Sequence, residues 1–389
     1  MAITQFAFPT SIHFGPGART HVAKHLLEHG VKRPLIVTDR GLASLTILKD
    51  FTASLDGLAA SVYAGVHGNP VKQQVIDGVK AYKSHNADAV IGFGGGAALD
   101  VAKAVALMAV HEGDVLEYAW DHPKVRPIRN ALPYFVALPT TSGTGSEVGR
   151  SSVISDDATH VKKIIFNPVL LAKAVFADPE LTLDLPAGVT AATGMDALTH
   201  NVESYLSPAY HPLCDGIALE GARIAAHALE TAVKNGRNIQ ARSDMMMSSM
   251  MGAIAFQKDL GAVHSCAHAL GTVTDMHHGL ANGIMIDHVM RFNLPTASAK
   301  MAELARVAGA PGAGGMSERD AAAALIDWLR QMKADLGIPA TLSALTSKRA
   351  VTSADVPALV DVAIHDTCHK TNSRPCTRED FERIFAAAI

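Results

Sequence analysis

The sequence predicts an α/β amino-terminal domain built on a parallel sheet, followed by an all-α carboxy-terminal domain. Three observations carry this. Short apolar runs alternate with helical stretches in the first half; glycine-rich turns close several of those runs; and from about Pro186 the β-branched runs give way to long Ala- and Met-rich helical periods. A chain of 389 residues exceeds one small core. We place the two domains at 1–184 and 185–389, with Asp178–Pro186 as the hinge segment.

In the first half, Pro34–Thr38, Ala87–Phe93 and Tyr134–Leu138 read as strands, and Val75–Tyr82 and Leu99–Val110 as helices. Strand-helix alternation of this kind gives a parallel sheet covered by helices. Gly92-Phe93-Gly94-Gly95-Gly96-Ala97-Ala98-Leu99-Asp100 follows a strand and opens a helix. Backbone amides approach a phosphate most readily there, because no Cβ intervenes and the helix end is positive. A tight strand-to-helix turn is the plain alternative. Asp39 ends the first clear strand, where a carboxylate accepts hydrogen bonds from an adenosine ribose and repels a 2′-phosphate, which favours NAD over NADP. Its alternative is to start the turn at Arg40-Gly41. A third strand end, Pro139-Thr140-Thr141-Ser142-Gly143-Thr144-Gly145-Ser146-Glu147, offers hydroxyls and amides at the edge where open α/β sheets bind ligands.

The second half carries a denser signal. Asp196 and His200 are four apart, as are His264 and His268, and residues four apart share one face of a helix. His277-His278-Gly279 follows shortly after. A carboxylate with neutral imidazoles suits a divalent ion such as iron or zinc. The flanking residues are mostly apolar, so these groups lie inside, where unpaired polar side chains are costly. Spacing alone does not choose between His277 and His278. The cluster Met245-Met246-Met247-Ser248-Ser249-Met250-Met251 reads as gap-filling core more than as a copper site.

Composition narrows the classes. A net charge of −3 gives no basic field for nucleic acid. No apolar run reaches the roughly 18 residues of a membrane helix. Met1–Pro9 has no Lys or Arg ahead of an apolar stretch, which argues against a signal peptide. The four cysteines are scattered, as thiols in a reducing compartment are. These features point to a folded cytoplasmic protein that binds neither nucleic acid nor membrane.

Taken together, the motifs resemble the iron-containing alcohol dehydrogenase family. The resemblance runs through Asn69-Pro70, Gly94–Gly96 with Asp100 and Lys103, the Pro139–Glu147 loop, Asp178–Pro186, Gly194–His200 and His264–Asn282. It implies a Rossmann-like dinucleotide-binding domain and a helical domain in the dehydroquinate synthase-like architecture, with nicotinamide and metal meeting between them. It also implies Fe²⁺, with Zn²⁺ as the substitute, on Asp196, His200, His264 and His278, and His268 as a non-ligating proton relay. The NAD site falls on Asp39, Asn69, Gly94, Gly95, Gly96, Ala97, Asp100, Thr140, Thr141 and Thr144. Family members associate as dimers or larger assemblies, so a homo-oligomer is expected. Ala97 stands where the family commonly has Ser, which removes one hydroxyl from the diphosphate site and leaves the amides.

Val148-Gly149-Arg150-Ser151-Ser152 departs from simple-alcohol members. Arg150, with Ser151, is expected at the substrate, where a guanidinium grips a carboxylate in two hydrogen bonds. Lys258 and the segment around Cys368 add further polar lining. In these details the chain is similar to the 4-hydroxybutyrate dehydrogenase branch. The implied reaction interconverts a primary alcohol and its aldehyde, with an ω-hydroxy acid such as 4-hydroxybutyrate as one substrate. Arg150 has two plainer partners, Glu147 and the cofactor diphosphate. His365, Cys368 and His369 form a loop of capping groups sooner than a second metal site. Three other readings compete: a simple primary alcohol or lactaldehyde-type dehydrogenase, a dehydroquinate synthase-like lyase, and a non-catalytic sensor. The four-ligand set that includes Asp196 favours a dehydrogenase.

Overall fold

A computed structural model describes residues 8, 10–158, 161–345 and 350–389. The chain separates into two compact units: Phe8–Thr141 with Gly145–Leu183, and Asp184–Ile389 with Ser142–Thr144.

The first unit is a six-stranded sheet. Its strands are β1 (Ser11–Phe14), β2 (Pro34–Asp39), β3 (Ser61–Val66), β4 (Ala89–Gly94), β5 (Tyr134–Pro139) and β8 (Ala174–Ala177). They run in the order β1-β8-β5-β4-β2-β3, and every pair is parallel. A small antiparallel hairpin, β6 (Ser151–Ser155) and β7 (Lys162–Phe166), stands apart from it. The helices of this unit are α1 (Val22–Glu28), α2 (Arg40–Ala43), α3 (Thr46–Ala53), α4 (Lys72–Ser84) and α5 (Gly96–Ala109). β2 and β4 are buried along almost their whole length, the signature of strands covered on both faces. The chain moves outward from β2 to β3, then returns across β2 to β4. Between the carboxyl ends of β2 and β4 the order reverses, and open sheets take ligands at such a point.

Three strands not read from the sequence, β1, β3 and β8, complete the sheet. Asp178, at the end of β8, is fully buried. It accepts from the N–H groups of Gly17, Arg19 and Glu180 at 3.1, 3.2 and 3.0 Å, and from the Arg19 guanidinium at 2.6 Å. The expected hinge therefore begins with a residue tied firmly into the sheet unit, which continues to Leu183.

The loop after β5 is held from α5. Asp100 Oδ1 accepts from Ser146 Oγ at 2.6 Å, and Oδ2 accepts from the Val153 N–H at 3.1 Å. Lys103 Nζ donates to the carbonyls of Ser146, Gly149 and Ser151 at 2.6, 3.1 and 2.8 Å. Glu147 lies beside this staple, 2% exposed, and its Oε1 has no hydrogen-bond partner.

The second unit is helical: α6 (Ala187–Leu206), α7 (Pro212–Lys234), α8 (Ile239–Ala255), α9 (Ala262–Thr274), α10 (His278–Val307), α11 (Glu318–Asp335), α12 (Val356–Ala363) and α13 (Arg378–Ala388). Its core is continuous through these helices, with Met245 buried among alanines and leucines as the gap-filling reading of the Met cluster requires. Pro295 interrupts α10, and the backbone leaves helical values at Ala297. No described helix is long and apolar enough to cross a membrane.

Burial pushes the Glu147 carboxyl up to about 7, against the pull of Lys103 and of its own backbone N–H. A carboxyl pKa raised in the folded state costs nothing below the unfolded value; the penalty builds as pH rises from that value to the folded one and is complete above it. Glu147→Gln is therefore expected to stabilise the fold at pH 8 by roughly 3 kcal/mol or less, seen as a higher melting temperature. The gain should shrink through pH 7 and vanish near pH 4.5, as thermal melts across that range would show.

Candidate functional site

The carboxyl edge of the sheet collects most of the expected cofactor residues. Asp39 ends β2, Asn69 follows β3, Gly94 ends β4, and Thr140 follows β5 with Thr141, so four neighbouring strands deliver them to one edge. Thr140 N–H donates to the Gly94 carbonyl at 3.1 Å. Gly94 has φ +154°, and a Cβ there would lie 2.6 Å from that of Ala98 and 3.4 Å from Asp39 Oδ2. Glycine is required at this turn on both counts. Gly95 caps α5 without a side chain, which leaves the first-turn N–H groups of Gly96 and Ala97 for an anion. Asp39 takes the turn-starting role weighed for it and keeps one oxygen toward the glycine turn. Oδ1 accepts from Leu42 N–H at 2.9 Å to cap α2, while Oδ2 lies beside Gly94.

One cofactor expectation needs correction. Asp100 is not a direct contact, because its oxygens are occupied by Ser146 and Val153 and its side chain faces the interior. It shapes the loop that carries Thr140 and Thr141. Thr144 is exposed and belongs to the helical unit, where the neighbouring Gly143 carbonyl accepts from Ser249 Oγ at 3.1 Å.

In the helical unit, α6 carries Asp196 and His200, α9 carries His264 and His268, and α10 begins at His278. Asp196 Oδ1 lies 3.5 Å from His278 Nε2, 3.8 Å from His264 Nε2 and 4.0 Å from His200 Nε2. Four ligands at about 2.1 Å from one ion sit about 3.4 Å apart in a tetrahedron, so these separations fit a shared divalent cation. Burial pushes the His200 imidazole down to about 4, which keeps it neutral and able to bind metal. His277 caps α10, its Nδ1 accepting from Leu280 N–H at 3.4 Å.

Asn282, which the sequence reading did not single out, stands at the point of convergence. Its Nδ2 donates to Asp196 Oδ1 at 2.7 Å and lies 3.3 Å from both His264 Nε2 and His278 Nε2. Its Oδ1 is buried without a partner. A carboxylate and two imidazole nitrogens thus crowd one neutral amide, and with His200 beside them this is a donor set that suits a divalent cation.

His268 is differently placed. Its ring stacks on that of His278 with centroids 5.2 Å apart, and its Nδ1 lies 2.8 Å from Asp366 Oδ2. Asp366 Oδ1 accepts from Ser265 Oγ at 2.6 Å and from Cys368 N–H at 2.9 Å. Burial opposes ionisation of Asp366, but the His268 charge and these hydrogen bonds outweigh it and hold the carboxyl well below its usual range. Cys368 joins His268 and Asp366 in one cluster, its thiol pushed well above its usual range by burial. Sequence gave no cue to Asp366, which lies 98 residues from its partner.

Of the expected substrate residues, the structure turns Lys258 elsewhere. Lys258 is 1% exposed, and its ammonium is committed to Asp215, with the Tyr205 carbonyl also in reach at 3.5 Å. The Arg150 guanidinium lies over the Phe166 ring, 5.3 Å from its centroid, a packing contact on the β6–β7 hairpin. Ser151 lies on β6 opposite Phe166 and gives its carbonyl to Lys103.

Comparison with known proteins agrees with these two units. The model of the iron-containing alcohol dehydrogenases matches residues 9–179, and the model of that family's C-terminal domain matches residues 190–389. The 4-hydroxybutyrate dehydrogenase of Cupriavidus necator is 36% identical, covering 98% of this chain and 98% of that protein. The 1,3-propanediol dehydrogenase of Klebsiella pneumoniae is also 36% identical, covering 99% and 98%. Among solved structures, a 1,3-propanediol oxidoreductase superposes with a TM-score of 0.94 at 35% identity over 100% of both chains. The chain belongs to the iron-containing alcohol dehydrogenase family.

Proposed function

We propose that this chain is an NAD-dependent, metal-dependent dehydrogenase that interconverts small primary alcohols and their aldehydes, with Asp196, His200, His264 and His278 holding Fe²⁺ or Zn²⁺. The convergence of those four side chains on one buried point is the observation that carries the reading. A bound divalent ion supplies Lewis-acid polarisation of the alcohol or carbonyl oxygen, and a bound nicotinamide takes or returns the hydride. The protein's own groups position, exclude water and move the proton. His268 accepts the hydroxyl proton at Nε2, because Asp366 keeps a proton on Nδ1. The N–H groups of Gly96 and Ala97 receive the diphosphate, and Asp39 beside Gly94 favours NAD over NADP by repelling a 2′-phosphate.

The substrate we favour is uncharged at its far end. Lys258 is bound to Asp215, so a clamp for a substrate carboxylate loses one of its two expected cations. An ω-hydroxy acid is the second reading, supported by the full-length similarity to a 4-hydroxybutyrate dehydrogenase. Assay of metal-loaded protein with NAD⁺ on 1,3-propanediol, 1-butanol and 4-hydroxybutyrate separates the two. A kcat/KM for the acid well above both neutral alcohols would reverse our preference.

His264→Ala should lose bound metal and turnover together, measured by metal analysis beside a steady-state assay; full activity without metal would end this account. His268→Ala should keep its metal and lose kcat by about a hundredfold. Arg150→Ala should change KM for 4-hydroxybutyrate and for 1-butanol by the same factor, whereas a selective loss with the acid would make the guanidinium a carboxylate clamp. Asp39→Gly should raise the kcat/KM ratio of NADP⁺ to NAD⁺ by about tenfold or more.

A further inference from the structure

Glu203 stands on α6, one turn beyond His200, and is 3% exposed. Its carboxylate is directed at the start of α9. Oε1 accepts from Val263 N–H at 2.7 Å, and Oε2 accepts from His264 Nδ1 at 2.6 Å, with the His264 N–H farther off at 3.4 Å. α9 opens behind Gly261, a cap with no side chain. The first-turn donors are met from outside the helix, Ala262 N–H by Asn372 Oδ1 at 3.2 Å and the next two by Glu203. The fit at Gly261 is close: a Cβ there would lie 2.6 Å from Glu203 Oε1 and 2.9 Å from Asn372 Oδ1.

An ionised carboxylate only accepts hydrogen bonds, so Nδ1 of His264 carries the proton and Nε2 keeps its lone pair. That Nε2 is the atom 3.8 Å from Asp196 Oδ1. Helix capping alone would need one oxygen on a backbone N–H. The second oxygen reaches the imidazole, with a geometry that fixes ring orientation and tautomer together. We infer that Glu203 is a positioning residue for metal binding, holding His264 with Nε2 bare and aimed at the point shared by Asp196, His200 and His278. The inference rests on the reading of those four residues as metal ligands.

The test titrates Zn²⁺ against a chromogenic chelator with wild type, His264→Ala, Glu203→Gln and Gly261→Ala, each stripped of metal and checked for fold by circular dichroism. Glutamine keeps the length of the side chain, but its NH₂ must face either the Val263 N–H or the imidazole Nδ1–H. Gly261→Ala leaves the carboxylate charged and pushes it off its partners. Both are expected to weaken zinc binding by about tenfold to a hundredfold while the metal-free protein stays folded. A capping role alone predicts a lower melting temperature with zinc affinity unchanged, and that result would overturn the inference. If Glu203→Gln does not fold, Gly261→Ala decides by the same criterion. Wild type that binds no zinc, or His264→Ala that binds it as wild type does, would remove the ligand reading and this inference with it.

Discussion

The helical unit depends on one electrostatic constraint, the burial of a carboxylate and two imidazoles, Asp196, His200 and His264, with the half-buried His278 turned to the same point. Taking an ionised carboxylate out of water costs several kcal/mol unless it is paired, and Asp196 is 3% exposed with the Asn282 amide donating to its Oδ1. The residues that bring the helices together are small. Alanines dominate the buried face of α7, and at Gly252 on α8 a Cβ would come within 2.8 Å of His200 Cβ. A cation that completes the donor set stabilises α6, α9 and α10 as a group, since a site assembled from three helices does not exist in the unfolded chain. Metal binding and the packing of this unit are then one equilibrium seen from two sides.

One turn of α9 carries two histidines in different settings. His264 is sealed at 1% exposure, while the His268 side chain is 23% exposed. Each has its Nδ1 against a carboxylate from another element, Glu203 on α6 and Asp366 after α12. The same chemical device leaves Nε2 bare in both, and burial then divides the work. The enclosed imidazole is suited to hold a cation, and the open one to exchange a proton with a substrate or with water.

The parts of this architecture that repeat locally were legible in the sequence. Asp196 with His200 and His264 with His268 reveal themselves by helical spacing, and Gly94–Gly96 by its place between strand and helix. Glu203 shares a face with Asp196 and His200 and could have been noticed from that spacing. What sequence could not provide is direction across space. Lys258 precedes the metal helix, yet it turns to Asp215, 43 residues away. Asp100 follows the glycine loop, yet it points inward to Ser146, 46 residues away. The strands β1 and β8 are four residues each, too short to show alternation, and are recognisable only once paired with each other. His278 was separable from His277 by resemblance alone until the cap on Leu280 was visible.

Charge in the helical unit bears on what the proposed enzyme accepts. Asp196, Glu203 and Asp366 bring three carboxylates to the histidine cluster, and a divalent ion offsets two of them. With neutral imidazoles, the region around the reacting oxygen keeps a net negative charge. A hydroxy acid brought there meets repulsion at its far end unless a cation compensates, and in a partly buried site that repulsion is weakly screened. Lys258 and Lys300 both attend Asp215, which offsets one of their two charges and holds Lys258 away from a substrate. A neutral diol meets no such penalty, and its second hydroxyl can donate to a carboxylate. Selection among alcohols in this unit thus follows from what the metal ligands and their supporting carboxylates leave uncompensated, before any residue dedicated to the substrate is considered.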